Sequence, residues 1–210
     1  MHLCLHDRDG FADLRQEIAI PRRPDAIDIE AAVRTLIAAT GDDPGREGVR
    51  DTPARVARAW GEWFAGYRVD PAALLERTFG EAEGYDETVL LRAVPIVSTC
   101  EHHLAPIIGH AHIAYRPDRR VVGISKLSRL ADAYARRLQL QERLTNQIAH
   151  TIDTVLKPKG VAVIVEASHG CMSTRGVNQH GVSMITQCWL GDYKADPDLR
   201  RELMMSVKSC

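Results

Sequence analysis

From Glu87 onward the apolar residues of this chain change their spacing, and the order of the segments beyond that point restricts the fold. TVLLRAVPIVS, GHAHIAYRP and the short VVGIS are partly alternating and rich in β-branched residues, the pattern of strands. SKLSRLADAYARRL and QERLTNQIAHTIDTVL then carry apolar residues at helical spacing, separated only near Gln139. Strands resume at GVAVIVEASH and VSMITQCWLGDY, and a last helix begins near Pro197. Three strands, two helices and two strands make an α+β arrangement, with antiparallel pairing where connections are short. Upstream, residues 28–40 set Ile29, Ala32, Val33, Leu36 and Ile37 at helical spacing, and GDDPGREG interrupts them as a loop. A second helix follows, with Thr52 expected as its N-cap and Pro53 at its first position; Asp70-Pro71 repeats the signal for a short third helix. The chain thus divides into a loosely held arm (1–27), a helical segment (28–86) and the main α+β domain (87–210).

Charge excludes some functions. Twenty-seven basic residues face 28 acidic ones, so no general nucleic-acid surface is expected and any anion site must be a local cluster. No apolar run approaches the ~20 residues that cross a bilayer. MHLCLHDRDG lacks the apolar stretch of a signal peptide, so a cytoplasmic location is expected. The cysteines (Cys4, Cys100, Cys171, Cys188, Cys210) are too scattered for a disulfide scaffold, and a Cys close to several His reads as a metal ligand or nucleophile.

Two clusters meet that description. Cys100-Glu101-His102-His103 places a thiolate and an imidazole within reach of one cation, and Ser168-His169-Gly170-Cys171 offers another such pair at the end of a strand. Both donor types suit Zn²⁺. A single Cys is ordinarily a small buried hydrophobe, the reading kept for Cys188, but two such clusters in one short chain are harder to dismiss. Cys100, His103 and Cys171 make three ligands, and a fourth position left for water is the mark of a catalytic zinc. Spacing alone does not separate this from a four-ligand site completed by His102 or His169. The H-x-E…P-C-x-x-C pattern of zinc deaminases is absent. Cations gather nearby: Lys126 and Arg129 on a helix that Ser125 is expected to cap, Arg175 after Cys171, and Arg55 and Arg58 upstream. Most charged residues only solvate a helix face, but a helix N-terminus with two cations can hold an anion. Glu142 is either a first-turn acid favoured by the helix dipole or a carboxylate accepting two N–H bonds from one ring edge.

VSTCEHHLAPIIGHAHIAY, VVGISKLSRL, RRLQLQERLTNQIA and ASHGCMSTRGV, in this order and with REGVRDTPARVARAW upstream, resemble the GTP cyclohydrolase I family over about residues 28–208. The resemblance implies a tunnelling fold: an antiparallel sheet with two antiparallel helices on one side, preceded by a helical segment. It implies a homodecamer of two pentamers with active sites between subunits. Residue by residue, it makes Cys100, His103 and Cys171 the ligands of one Zn²⁺ per subunit, and His102 and His169 the acid–base pair, with Ser125 a further proton carrier. Gln141 and Glu142 would hold guanine. Ser125, Lys126, Arg129 and Arg175 would hold the triphosphate, helped by Arg55 and Arg58. The implied reaction turns GTP into 7,8-dihydroneopterin triphosphate and formate through attack of zinc-activated water on C8, the first step of folate and pterin synthesis. Two positions depart from the pattern: Arg58 stands where Lys is common, and Gly170 replaces a bulkier residue. Rival readings are a silent GTP or pterin sensor, an assembly protein with a closed structural zinc, and a hydrolase stopping at the ring-opened formyl product.

Overall fold

A computed structural model describes residues 24–76, 78–79 and 85–208; most of the arm expected at 1–27 lies outside the described residues. The described residues form two compact units, divided after Ala59. In the first, α1 (Ala26–Ala39) opens on a reciprocal box in which the Asp25 carboxylate accepts from Asp28 N and the Asp28 carboxylate accepts from Asp25 N. The helix therefore starts two residues earlier than its apolar spacing predicts. α2 (Thr52–Trp63) likewise takes Thr52 inside: Arg55 N donates to Asp51 O at 3.1 Å, leaving Asp51 rather than Thr52 in the cap position. The third helix expected at Pro71 does not form. Asp70 Oδ1 accepts from Ala72 N at 2.9 Å and Ala73 N at 3.4 Å, and only turns follow, with Leu75 N donating to Ala72 O at 3.0 Å.

In chain order there follow β1 (Thr78–Phe79), β2 (Val89–Cys100), β3 (Pro106–Arg116), β4 (Val121–Val122), α3 (Ile124–Ala135), β5 (Leu138–Gln139), α4 (Gln141–Leu156), β6 (Gly160–His169), α5 (Gly170–Ser173), β7 (Met184–Gly191), α6 (Asp192–Ala195) and α7 (Pro197–Lys208). The main sheet runs β5-β2-β3-β6-β7. Its four long strands are antiparallel, as expected, while β5 adds a two-residue parallel pairing at the end of β2, with Cys100 opposite Gln139.

The period-2 alternation sorts the faces. Ala111, Ile113 and Tyr115 of β3 and Val161, Val163 and Val165 of β6 are buried beneath Leu127 and Leu130 of α3 and Leu144, Ile148 and Ile152 of α4. Each such aliphatic side chain withdrawn from water contributes roughly 1.5–3 kcal/mol. On the opposite face Ala114 and Ala162 pack with Tyr193 and Leu203 of α6 and α7. A bulge between Leu91 and Val94 changes the parity of β2: Val89 and Leu91 pack on the helix side before it, Val94 and Ile96 after it. At that bulge Ala93 sits at φ 52°, and its N–H donates to His112 Nδ1 at 3.4 Å. The shift of parity also carries Cys100 inward, where it packs with Ile107 and Ala167.

Candidate metal centre and its surroundings

The site grows from the ends of two strands that β3 holds together. After Cys100 the chain turns tightly: Leu104 N donates to Cys100 O at 2.9 Å, Cys100 N donates to Ala105 O at 2.8 Å, and Leu104 takes a left-handed conformation at φ 54°. The turn folds His103 back over Cys100. Across β3, Ile107 pairs with His169, the last residue of β6, and α5 begins at once and delivers Cys171. The two thiol sulfurs and a ring nitrogen of His103 all lie within 4.8 Å of one another. Tetrahedral zinc with ~2.3 Å bonds to sulfur sets its ligand atoms roughly 3.7 Å apart, so a modest contraction fits the ion. Burial and the neighbouring Cys100 push the Cys171 thiol above its ordinary pKa, a consequence of crowding two sulfurs that a dication relieves. Cys100 is buried, Cys171 half-buried and His103 exposed, so the cluster opens to solvent on the His103 side. Arg175 Nη1 donates to His103 Nε2 at 3.3 Å, which sets a permanent cation at that opening. The exposed His102 ring stands perpendicular to that of His103, 6.3 Å away.

Two residues before Cys171, His169 Nε2 lies 2.8 Å from Gln141 Oε1. Burial lowers the His169 pKa, and Glu142 acts in the opposite direction. Gln141, the first residue of α4, is only 1 % exposed, and its Nε2 donates to Val165 O at 3.1 Å, Met184 O at 2.9 Å and Thr186 Oγ1 at 3.2 Å. Glu142 beside it is exposed. Ser125, Lys126 and Arg129 share the first two turns of α3, but Gly123 rather than Ser125 occupies the cap position and no side chain caps that end. The expected Ser125 cap is thus replaced by a serine inside the first turn of the helix, exposed like Arg129. Arg55 and Arg58 stand on α2, with Arg55 3.6 Å from Asp51.

A profile of the GTP cyclohydrolase I family matches residues 29–208. The sequence is 50% identical over 186 residues to GTP cyclohydrolase 1 of Maricaulis maris, covering 89% of this chain and 91% of that protein. It is 53% identical over 183 residues to GTP cyclohydrolase 1 of Hyphomonas neptunium, covering 87% and 89% respectively. The chain belongs to the GTP cyclohydrolase I family. Among solved structures, the apo form of the archaeosine synthase QueF-Like matches with a TM-score of 0.40 and 20% identity, over 50% of this chain and 93% of that one.

For a GTP cyclohydrolase I family chain, the residues that hold the site in place are less visible in sequence than its ligands. Arg143 of α4 pairs with Glu101, inside the Cys-x-x-His run, and also donates to Gln139 Oε1 at 3.2 Å and Leu138 O at 3.3 Å. Glu101 N in turn donates to Gln139 O at 3.1 Å. Thr145 Oγ1 donates to Gln141 O at 2.8 Å and lies 2.6 Å from Thr186 Oγ1. Nothing in the spacing of Arg143, Thr145 or Thr186 marks them; only their adjacency to the motifs does. Gly170 has a steric reason: a Cβ there would meet Pro106 Cδ at 3.0 Å and Pro106 O at 3.1 Å. A bulkier residue would require Pro106 to shift.

Proposed function

We propose that this chain converts GTP and one net water into 7,8-dihydroneopterin triphosphate and formate at the Cys100–His103–Cys171 cluster. The observation that carries the reading is the convergence of two thiols and an imidazole, open on one side, beside the half-buried His169 in a chain of this family. Two sulfurs and one nitrogen are a donor set for Zn²⁺, and three protein ligands leave a position free. When bound, zinc supplies a Lewis acid that lowers the pKa of water toward ~7, making a nucleophile available at neutral pH. The reaction has two hydrolyses at C8, the second releasing formate, then opening and rearrangement of the ribose and reclosure with loss of one water. His169 exchanges protons with the ring nitrogen as the C8–N bond breaks. His102, exposed beside the cluster, and Ser125 serve the later proton transfers. Glu142, exposed on the first turn of α4, accepts the paired N–H groups of guanine, with Gln141 beside it. Arg175, already at the opening, takes one end of the triphosphate, and Ser125, Lys126 and Arg129 the rest, with Arg55 and Arg58 assisting.

The same reading assigns catalysis to residues 87–210 and the preceding helices to 28–86, and places the chain in decamers of about ten times 23.3 kDa, readable by light scattering. Free thiols as ligands suit a reducing compartment, the cytoplasm. No helix among the described residues is long and apolar enough to cross a membrane. Incubation of the zinc-loaded chain with GTP tests the reading. Formate and a pterin that fluoresces after oxidation should appear in equal amounts, with none from ATP. GTP consumed without formate would refute it.

A further inference from the structure

Both hydrogens of the Gln141 side-chain amide are engaged within the chain, and the manner of that engagement decides the state of His169. The amide nitrogen has two hydrogens. The backbone carbonyls of Val165 and Met184, at 3.1 and 2.9 Å, accept them, and the nearby Thr186 hydroxyl reinforces the same orientation. Carbonyl oxygens cannot donate, so turning the amide over would set oxygen against two oxygens in a buried site, where such mismatches cost most. The orientation is therefore dictated by the strands β6 and β7, and Gln141 Oε1 points at His169. That oxygen lies 2.8 Å from His169 Nε2 and can only accept. It follows that Nε2 carries the hydrogen.

We propose that Gln141 is a positioning residue: it holds His169 in the tautomer protonated at Nε2 and leaves Nδ1 as the nitrogen that exchanges protons with substrate. The inference deepens the GTP reaction proposed above and rests on it for the identity of the substrate. The hydrogen-bond chain is continuous. Thr145 Oγ1 donates to Gln141 O, Thr145 and Thr186 hydroxyls meet at 2.6 Å, and Gln141 Nε2 bonds to Val165 and Met184. Helix α4 and strands β6 and β7 are thereby clamped on one amide, which fixes the imidazole as the orienting partner of a catalytic histidine does. Donating to guanine through the same side chain would require it to abandon a buried carbonyl.

The test uses the zinc-loaded protein. Gln141→Met keeps the length of the side chain and removes its acceptor. It should keep its zinc, hold KM for GTP within about threefold, and lose about 10–100-fold in kcat, the usual worth of an outer partner that orients an imidazole. Gln141→Glu restores an acceptor toward His169 and should recover part of that loss. A Gln141→Met protein with kcat intact and KM raised tenfold or more, now accepting ITP as readily as GTP, would make Gln141 a reader of the base and overturn the proposal. If the variants do not fold, the wild type decides. Magic-angle-spinning spectra of ¹⁵N-histidine-labelled holoenzyme, with His169 assigned by its loss in His169→Ala, should show hydrogen at Nε2. A signal for the Nδ1-protonated tautomer would overturn the proposal. A wild type that makes no formate from GTP would remove the functional reading and leave this spectroscopic result standing on its own.

Discussion

Cys171 and His169 lie two residues apart, yet one faces the cluster of donor atoms and the other faces Gln141. Replacing each should separate binding from proton transfer. Cys171→Ala, Cys100→Ala and His103→Ala should each lose the metal together with activity, because two remaining donors are fewer than a catalytic zinc ordinarily keeps; full occupancy by elemental analysis in Cys171→Ala would defeat the assignment. His169→Ala should retain zinc and turn GTP over hundreds of times more slowly, within the ~10²–10⁴-fold worth of a positioned acid or base. Mass-resolved chromatography should then reveal a ring-opened formamidopyrimidine from this variant or from His102→Ala. Glu142 is a third kind of residue: exposed, and close enough to His169 for its charge to act on that imidazole. Glu142→Gln exchanges one acceptor for a donor, so a guanine N–H would face an N–H. A site built on such bonds discriminates steeply, and the variant should bind zinc while failing with GTP. Near-normal turnover would place base recognition elsewhere.

At the level of elements, α4 and β6 are legible in the sequence to the residue, over 141–156 and 160–169. Their apolar spacing is strong, and Lys157 ends the helix in a left-handed conformation at φ 49°. The two-residue β5 is not legible, since its pairing with the end of β2 rests on tertiary contact and no local preference marks it. That segment matters because it works with Arg143 to tie the loop bearing His103 to the helix bearing Gln141 and Glu142. The Arg143 and Glu101 side chains are 42% and 28% exposed, so their pairing adds at most ~1 kcal/mol to stability. Its consequence is geometric. Arg143→Met should leave the urea midpoint almost unchanged but release zinc to a chelator about tenfold faster, in line with other outer-shell partners. An unchanged release rate would show that the turn at Leu104 holds the loop unaided.

The stability of the whole molecule should carry the imprint of His112, which is 8% exposed and accepts the bulge N–H of Ala93. Burial lowers its pKa, His110 and Arg92 lower it further, and Glu166 opposes them. A histidine depressed on folding contributes stability that is present above its ordinary value near 6.5 and lost as pH falls toward the folded value, because the unfolded chain takes the proton first. Urea unfolding of the wild type should therefore weaken between pH 7.5 and 5.5 more than that of His112→Gln, by up to about 1.4 kcal/mol per pH unit. Parallel curves for the two proteins would show that His112 plays no part in it.

Sequence by itself determined the α+β order, the two Cys/His motifs and, through their resemblance, the family, because periodicity and donor type are local properties of the chain. Tertiary structure decided what depends on contact between distant segments. The bulge at Ala93 turns Cys100 inward, and pairing of β3 with β6 brings Cys171 to Cys100 across some 70 residues. Gly123 and Asp51 take the cap positions expected of Ser125 and Thr52, since a cap is set by where the chain enters the helix as well as by the residue present. Gln141 is the clearest case. Its place in the motif suggests a hand held out to guanine, while two backbone carbonyls from neighbouring strands turn its amide toward His169. A buried amide goes where its hydrogen bonds are, and only the fold puts those carbonyls there.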